Sequence, residues 1–452
     1  MKKNDCFDTE ILDMNSLGFG IAKIDGMAIF VFGAVYGDFA RIRIIKVEKK
    51  YAVARTEEIL TPSPHRVDDV CPVSAACGGC AFRSVSYDYE RAQKEAAVRM
   101  SFQRQGMDNV TVAPLTNAGA VSHYRNKGQY PVRRGKNGEI QIGFFAAKSH
   151  RVLPCTDCDL QNESFAPILM QVRRFVEDFG ISVYDETSGE GLLRHIYLRI
   201  GEATGQIMLC LVLTKPQLPH ADEFVARMTA AFSKIASIYI NVNGEDTNVV
   251  LGKSFTLLFG TPYIEDILCG VRLRILPAAF YQVNRAAAEL LYKKAAELAC
   301  LSGGETLLDL YCGIGSIGLS MAHRAKKVIG VEVVPAAIEC ARENARANGI
   351  KNAEFYCGDA ADAVLSLEKA GAPLSPDVVI LDPPRKGCAA SLLEFLCAQN
   401  IPRIVYISCN SETLARDAKY LTENGYQMGK VFPFDLFCRT GHVECVTVFE
   451  KE

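Results

Sequence analysis

Two residues near the carboxyl end of the sequence carry groups that could act on a substrate directly. Cys409 lies in Tyr-Ile-Ser-Cys-Asn, directly after an apolar run that is typical of a buried strand. Most cysteines are small buried hydrophobic groups, but polar neighbours at a strand end favour a nucleophile. Glu444 is a carboxylate in an otherwise apolar final strand, where burial would raise its pKa towards that of a useful base. The two residues predict a thiol nucleophile and a general base.

A third candidate, Asp382, begins the segment Asp-Pro-Pro-Arg-Lys-Gly after another apolar run. In open α/β sheets, ligands bind beyond the carboxyl ends of the strands, so this carboxylate is expected to face a crevice. The two prolines restrict the backbone, which suits a fixed wall against which a flat ring is held. A rigid connecting loop is the alternative, and it would leave the carboxylate without a purpose.

A glycine-rich turn upstream has the pattern of a cofactor site. The sequence from Leu307 to Gly318 reads as a strand, a turn and the start of a helix, which lets a ligand approach the backbone. Glu332 ends the next apolar run, where a carboxylate can bind two ribose hydroxyls. The glycines spell GxGxxG, which fits a nicotinamide dinucleotide as well as S-adenosylmethionine. Glycines that serve only tight strand–helix packing are a further alternative.

A cluster of cysteines indicates a metal site. Cys71, Cys77 and Cys80 have Cx5CxxC spacing, and Cys155 or Cys158 offers a fourth thiolate. Four thiolates suit an iron–sulfur cluster or a tetrahedral zinc ion, and spacing alone leaves both open. The chain has 17 cysteines and no export signal, which indicates a reducing compartment where clustered cysteines bind metal or do chemistry.

The secondary-structure pattern predicts a multidomain protein. Residues 1–58 contain short strands broken by glycines, which predicts a small β-barrel of the oligonucleotide-binding type. Residues 59–274 predict a central α+β domain that contains the cysteine cluster. Residues 275–452 alternate between strand and helix, which predicts an α/β unit with a doubly wound parallel sheet. Its predicted strands are Thr306–Leu310, Lys327–Val331, Ala353–Tyr356, Val378–Leu381 and Arg403–Ile407.

Charge and hydropathy exclude some classes of protein. The 50 basic and 52 acidic residues leave a net charge of −2, so bulk charge does not argue for nucleic acid. No run of about 18 apolar residues and no secretory signal is present, and we expect a soluble cytoplasmic protein. Local basic residues on the later barrel strands could follow a phosphate backbone or form a solvated polar face; these are Arg41, Arg43, Lys46, Lys49, Lys50 and Arg55.

Together, these motifs resemble the RNA (uracil-5-)-methyltransferases, which modify transfer or ribosomal RNA. The resemblance extends from GFGIAKIDG in the barrel, a TRAM domain in that family, to GHVECV near the carboxyl end. The segments YRNK, FYQVN, DLYCGIGS, LDPPRKG and ISCNSETLARD occur between them in the order of the family. The resemblance implies a Rossmann-like class I methyltransferase that uses S-adenosylmethionine.

The resemblance also implies roles for individual residues. Cys409 would add to the uracil ring and Glu444 would remove its proton. The cofactor would be bound by Gln282, Tyr311, Glu332 and Asp382, with Asp359 facing the adenine. A [4Fe-4S] cluster would be held by Cys71, Cys77, Cys80 and Cys158. The chain departs from relatives at Arg83, where they commonly have glutamine, and at Phe437-Cys438-Arg439, where a proline is more frequent.

An amino-terminal barrel together with a cysteine cluster is similar to the ribosomal branch of the family. We therefore expect 23S rRNA as the substrate, with transfer RNA as the alternative, and a monomer. Two other classes compete: a non-catalytic iron–sulfur RNA-binding protein and a nicotinamide-dependent oxidoreductase. The first leaves the SCN and HVE segments unexplained, and the second leaves DPPR and SCN unexplained.

Overall fold

The amino-terminal part of the chain forms the predicted small β-domain. The computed structural model describes residues 1–68, 71–360 and 375–452. The strand order is β1-β5-β6-β4-β3-β2, with β4 and β6 parallel and the other pairs antiparallel. Apolar side chains alternate with arginines along β5, so one face of this strand is buried. The strands are β1 (Cys6–Glu10), β2 (Asp13–Met14), β3 (Gly20–Ile24), β4 (Met27–Phe32), β5 (Phe39–Val47) and β6 (Tyr51–Thr61).

The basic residues of this domain are largely paired with acidic neighbours. Arg41 binds Asp8 with an N–O distance of 2.8 Å, and Arg43 and Arg55 share Glu57 at 2.9 Å each. Lys46 also has an acidic partner, Glu48, at 2.6 Å. The structure thus gives these four side chains the arrangement of a solvated polar face. Such exposed pairs are screened by water and salt, so RNA phosphates could compete for these basic side chains.

The central region contains a mixed sheet with helices packed against it. Its order is β13-β12-β11-β10-β7-β8-β9, and β11 and β12 are its parallel pair. The apolar residues of α3 recur at helical spacing and fill the core beneath the sheet. The strands are β7 (Lys127–Arg134), β8 (Ile140–Phe145), β9 (Val152–Pro154), β10 (Leu193–Ile200), β11 (Ile207–Leu213), β12 (Ile235–Val242) and β13 (Ser254–Gly260). The helices are α1 (Ser74–Cys77), α2 (Tyr87–Gln103), α3 (Phe165–Asp178) and α4 (Ala221–Ala231).

The carboxyl-terminal region is the predicted Rossmann-like unit. Its sheet has the order β18-β17-β16-β19-β20-β23-β21, in which β18 to β20 run parallel and β23 is antiparallel to β20. Each predicted parallel strand is confirmed to within one residue. The strands are β16 (Thr306–Leu310), β17 (Lys327–Glu332), β18 (Ala353–Cys357), β19 (Val378–Leu381), β20 (Arg403–Ser408), β21 (Tyr426–Met428), β22 (Phe432–Phe434) and β23 (Glu444–Lys451).

Helices cover both faces of this sheet, and a hairpin precedes it. The hairpin strands are β14 (Ile264–Leu268) and β15 (Val271–Ile275). The helices are α5 (Arg285–Ala299), α6 (Ser316–Met321), α7 (Pro335–Ala347), α8 (Ala390–Ala398) and α9 (Ser411–Glu423). Helix α6 ends at Met321 and continues as a short 3-10 turn, Ala322–Arg324. Among the described helices, none combines the length and the apolar character that a membrane span requires.

A buried ion network joins the central region to the carboxyl-terminal sheet. The Nζ of Lys94, on α2, donates to Glu90 at 2.7 Å, to Asp435 at 2.9 Å and to the carbonyl of Phe437 at 3.2 Å. Both carboxylates and Lys94 are almost completely buried. The backbone N–H of Arg439 also donates to Glu90 at 2.7 Å. These bonds fix the segment between β22 and β23, residues 435–443, which we call the catalytic-strand loop.

Removing the cation of this network should destabilise the fold strongly. In Lys94→Met, the buried carboxylates of Glu90 and Asp435 lose their common partner, and breaking a buried pair costs about 3–5 kcal/mol. Urea unfolding followed by far-UV circular dichroism measures the loss. Arg99→Met on the same helix is the control, because Arg99 forms an exposed pair with Glu95 worth at most about 1 kcal/mol. Equal losses in the two variants would contradict a structural role for Lys94.

Candidate active site

The two predicted catalytic residues lie next to each other at one end of the β20–β23 ladder. Ser408 is the last residue of β20 and is paired with Cys445 of β23. Cys409 follows β20 directly, and Glu444 is the first residue of β23. The charge of Glu444 acts on the Cys409 thiol, so the two groups are neighbours. The two groups are 35 residues apart in sequence, and the sheet brings them together.

The turn that presents Cys409 is fixed by hydrogen bonds on both sides. The N–H of Asn410 donates to the Ser408 hydroxyl at 3.1 Å, and that hydroxyl donates to the Asn410 carbonyl at 2.9 Å. The Asn410 side chain caps α9 by accepting from the N–H of Glu412 at 3.0 Å. Its amide also donates to the carbonyl of Arg385 at 3.2 Å, which ties the turn to the DPPR segment. The polar flanks of Cys409 therefore serve to hold the thiol in place.

Burial and mutual repulsion raise the pKa of the acidic groups at this site. Desolvation, with the nearby charge of Asp382, raises the pKa of Glu444 to about 8. Desolvation raises the pKa of Asp382 itself to about 7. The pKa of the Cys409 thiol rises to about 11 through desolvation and the charges of Glu444 and Asp382. An efficient general base has a pKa near the operating pH, and burial brings the pKa of the Glu444 carboxyl towards that range.

Arg385 is a site residue that the sequence analysis quoted within a motif but did not single out. The positive charge of its guanidinium lowers the pKa of both Cys409 and Glu444 and so counteracts part of the rise caused by burial. Arg385 therefore lies near both groups. The exposed Arg385 Nη2 lies 3.3 Å from Nε2 of His442, on the catalytic-strand loop. Its place directly after Asp-Pro-Pro was the signal that could have identified it. A cation here favours the thiolate over the thiol.

The glycine turn and Glu332 form one side of the predicted cofactor crevice. The Glu332 carboxylate accepts from the N–H of Gly313 at 3.2 Å and from the N–H of Val334 at 2.9 Å. Tyr311 has a φ of 66°, a conformation that costs a non-glycine residue free energy and that occurs often at ligand sites. Gly313 and Gly315 also have positive φ, as the turn requires. The carboxylate is thus held at the carboxyl end of β17.

Further acidic residues gather at the same end of the sheet. Asp309 is completely buried, accepts from the N–H of Gly318 at 2.8 Å and has its pKa raised to about 7 by desolvation. The charges of Asp382 and Glu332 contribute to that rise, so the three carboxyls are neighbours. Asp359 raises the pKa of Tyr311 and therefore lies near it. Asp309 was missed as a site residue, although its position inside an apolar strand was a visible signal.

Gln282 lies in a segment that another motif holds in place. The side chain of Asn126, in YRNK, donates to the carbonyl of Gln282 at 2.9 Å. The backbone N–H of Asn126 donates to the carbonyl of Val283 at 2.9 Å. Asn284 then caps α5 and donates to the carbonyl of Leu436 on the catalytic-strand loop at 3.3 Å. The YRNK and FYQVN segments are therefore in contact, and the second one reaches the catalytic-strand loop.

The predicted metal ligands lie near one another. Burial raises the pKa of the Cys80 thiol, with a contribution from the charge of Cys158, and burial together with the charges of Cys71 and Cys77 raises the pKa of Cys158. Cys155 is buried beside Cys158. Arg83 binds Asp159, so the residue that departs from relatives connects the two cysteine segments. Across residues 1–68, 71–360 and 375–452, no group of three or more His, Cys, Asp or Glu side chains is arranged to hold a metal ion.

A cleft of about 540 Å³ lies beside Cys409. It is lined by Cys409 and Arg385, by residues of α2, and by Asp13 to Ser16 of the amino-terminal domain. All three regions of the chain therefore border the cleft.

Comparisons with known proteins agree with this geometry. The family described as tRNA (Uracil-5-)-methyltransferase matches residues 250–452, and the TRAM domain matches residues 7–56. An uncharacterised RNA methyltransferase of Oceanobacillus iheyensis is 40% identical over 448 residues, which cover 99% of this chain and 96% of that protein. One from Clostridium tetani is 41% identical over 446 residues, covering 99% and 96%.

A solved structure extends the agreement to the fold. The tRNA (uracil-54, C5)-methyltransferase of Pyrococcus abyssi, in complex with S-adenosyl-L-homocysteine, matches with a TM-score of 0.79 and 29% identity. The match covers 98% of this chain and 100% of that one, so it includes the amino-terminal domain. The chain belongs to the RNA uracil-5-methyltransferase family, with a TRAM domain, and is an S-adenosylmethionine-dependent RNA methyltransferase.

Proposed function

We propose that this chain methylates carbon 5 of a uridine in 23S rRNA through a covalent bond between Cys409 and carbon 6 of the uracil. The observation that carries the proposal is the pairing of a half-buried thiol with a buried carboxyl at the edge of the crevice. Reaching this site requires the uridine to leave its stack, which costs a few kcal/mol. Ribosomal RNA and the thiol chemistry both suit a reducing cytoplasm.

The chemistry explains why both groups are needed. Carbon 5 of uracil is a poor nucleophile, and S-adenosylmethionine supplies the methyl group that this carbon must accept. Addition of the Cys409 thiolate to carbon 6 breaks the 5,6 double bond and moves an electron pair into an enolate, which makes carbon 5 nucleophilic. After carbon 5 is methylated, Glu444 takes its remaining proton. The 5,6 double bond forms again and the thiolate leaves.

The crevice offers groups for the cofactor that the family uses. We assign its ribose hydroxyls to Glu332, its adenine to Asp359, and further contacts to Gln282, Tyr311 and Asp382. The assignment is supported by the backbone N–H groups that hold the Glu332 carboxylate and by the neighbouring acidic groups. Arg385 favours the thiolate of Cys409 at the moment of attack, because its positive charge counteracts the negative charges of Glu444 and Asp382.

Two variants separate addition from elimination. Cys409→Ala should abolish methyl transfer from labelled S-adenosylmethionine and leave cofactor affinity nearly unchanged, because the thiol attacks the base and does not bind the cofactor. Glu444→Gln should accumulate a protein–RNA adduct that survives denaturation on a gel, because the proton on carbon 5 has no acceptor. Cys397→Ala, which removes another half-buried thiol, serves as the control. Turnover by Cys409→Ala, or an inactive Glu444→Gln without adduct, would reject the assigned roles.

We also propose that Cys71, Cys77, Cys80 and Cys158 hold a [4Fe-4S] cluster. The support is the Cx5CxxC spacing and the proximity of the four thiols, since the charges of Cys71 and Cys77 act on Cys158 and that of Cys158 acts on Cys80. A cubane cluster binds each cysteine through a different iron, so it can hold four thiols that lie near one another. Half-buried thiolates repel one another, and the iron charge would compensate that repulsion.

Iron content tests the cluster and its fourth ligand. Protein purified without air should be brown and contain about four irons per chain. Cys158→Ser should lose this iron, whereas Cys155→Ser should keep it because Cys155 is the spare thiol. Metal analysis and the visible spectrum are the measurements. Iron loss only in Cys155→Ser would reassign the fourth ligand, and bound zinc in place of iron would reject the cluster.

The choice of 23S rRNA rests on the combination of a TRAM domain and a cysteine cluster. A single-strand-binding module adds contacts that help select one uridine among many in a large RNA. Transfer RNA is the second candidate, because the Pyrococcus abyssi enzyme that matches the whole fold is named for uracil 54 of tRNA. The TRAM domain therefore does not separate the two substrates by itself.

Incubating the protein separately with 23S rRNA and with transfer RNA distinguishes the two candidate substrates. Labelled S-adenosylmethionine should transfer methyl groups to unmodified 23S rRNA and not to unmodified transfer RNA. The expected product is 5-methyluridine, identified by nucleoside mass spectrometry. Cys409→Ala with the same RNA provides the background. Methyl incorporation into transfer RNA alone would reject 23S rRNA as the substrate. The proposed reaction at carbon 5 of uridine would be unaffected by that result.

A further inference from the structure

The loop between β2 and β3 of the TRAM domain, residues 15–19, packs against the active site. A Cβ atom added to Gly441, on the catalytic-strand loop, would overlap the carbonyl oxygen of Ser16. A Cβ atom added to Gly18 would overlap the carbonyl oxygen of Ala81, next to the cysteine cluster. The two glycines thus permit backbone contact at both places. Asn15 and Ser16 line the same cleft as Cys409.

This loop, which we call the TRAM loop, has a fixed conformation of its own. The Asn15 side chain accepts from the N–H groups of Leu17 and Phe19, each at 3.0 Å. The N–H of Gly18 donates to the Asn15 carbonyl at 3.0 Å, and Gly18 has a φ of 82°, which favours glycine. A loop that is already ordered pays little entropy when it contacts a partner.

Leu17 projects from the tip of the TRAM loop into solvent. Its side chain is 70% exposed, the largest value among the large apolar side chains that the structure describes. Single exposed leucines are common on protein surfaces. Leu17 differs from most of them because its N–H is bound by the Asn15 side chain, and Asn15 and Ser16, directly before it, line the cleft that contains Cys409. Arg104 and Arg385 line this cleft as well and could meet phosphates.

We propose that Leu17 is a contact for substrate RNA and packs against the base next to the target uridine. The inference rests on the proposed function, in which that uridine leaves its stack. Its departure exposes the face of the neighbouring base, and an inserted apolar side chain can cover that face. The TRAM loop thereby adds one wall to the active site, and the energy of covering the base offsets part of the cost of flipping.

The test uses a 23S transcript made with 5-fluorouridine in place of uridine. Fluorine on carbon 5 cannot leave as a proton does, so each productive encounter ends as a stable adduct with Cys409. Leu17→Ser should lower the maximal rate of adduct formation about tenfold, which corresponds to roughly 1.4 kcal/mol of lost apolar packing against the base. Leu17→Phe should keep a rate near that of the wild type, because a ring also covers a base.

The matched control is Val249→Ser, which removes a 62% exposed apolar side chain from a loop of the central region. It should leave the rate unchanged, and affinity for S-adenosylmethionine should be the same in all variants. An unchanged adduct rate in Leu17→Ser, with wild-type protein reacting normally, would overturn this inference alone. An equal loss in Leu17→Ser and Val249→Ser would also overturn it. Wild-type protein that forms no adduct with RNA would overturn the proposed function together with it.

Discussion

The geometry of the active site depends on one buried cation in the central region. Lys94 binds two carboxylates and a main-chain carbonyl, and two of these partners lie on the catalytic-strand loop that leads into β23. A buried ammonium is tolerated only when it is fully paired, so these contacts form together or not at all. They hold the loop that leads into β23, and Glu444 is the first residue of that strand. The residue proposed as the base is therefore positioned with the help of a helix outside the Rossmann-like sheet.

The second constraint is the antiparallel strand that joins an otherwise parallel sheet. The parallel strands direct Asp382 and Cys409 to the same edge, as a doubly wound sheet does with its ligand groups. Only a strand that runs the opposite way can begin at that edge and place a further side chain there. The antiparallel β23 does this with Glu444. Three groups whose pKa values are all raised are thereby collected in one water-poor place.

The sequence predicted the Rossmann-like strands closely because buried parallel strands are short, continuous apolar runs. It also predicted Cys409 and Glu444 as candidate site residues, because their polar character stands out in such runs. It could not reveal the Lys94 network, since Glu90 and Lys94 resemble an ordinary surface pair one helical turn apart. Their common partner Asp435 is 341 residues away from Lys94. The sequence also could not show that the arginines of β5 are paired with acidic residues. Their partners lie on neighbouring strands and come close only when the strands pair.

The cysteine segments have a place in the same arrangement. Cys80 and Cys158 pack with Tyr124, Leu160 and Cys438 in one small apolar cluster. The Tyr124 hydroxyl donates to the Cys438 carbonyl at 2.9 Å, on the catalytic-strand loop. The proposed reaction transfers a methyl group and protons and contains no redox step, so it does not require an electron carrier. A metal cluster bound by these cysteines would therefore have a structural role. It would help to hold the catalytic-strand loop, which Lys94 also holds. Because Cys438 is completely buried there, its side chain supplies packing for the loop that precedes Glu444.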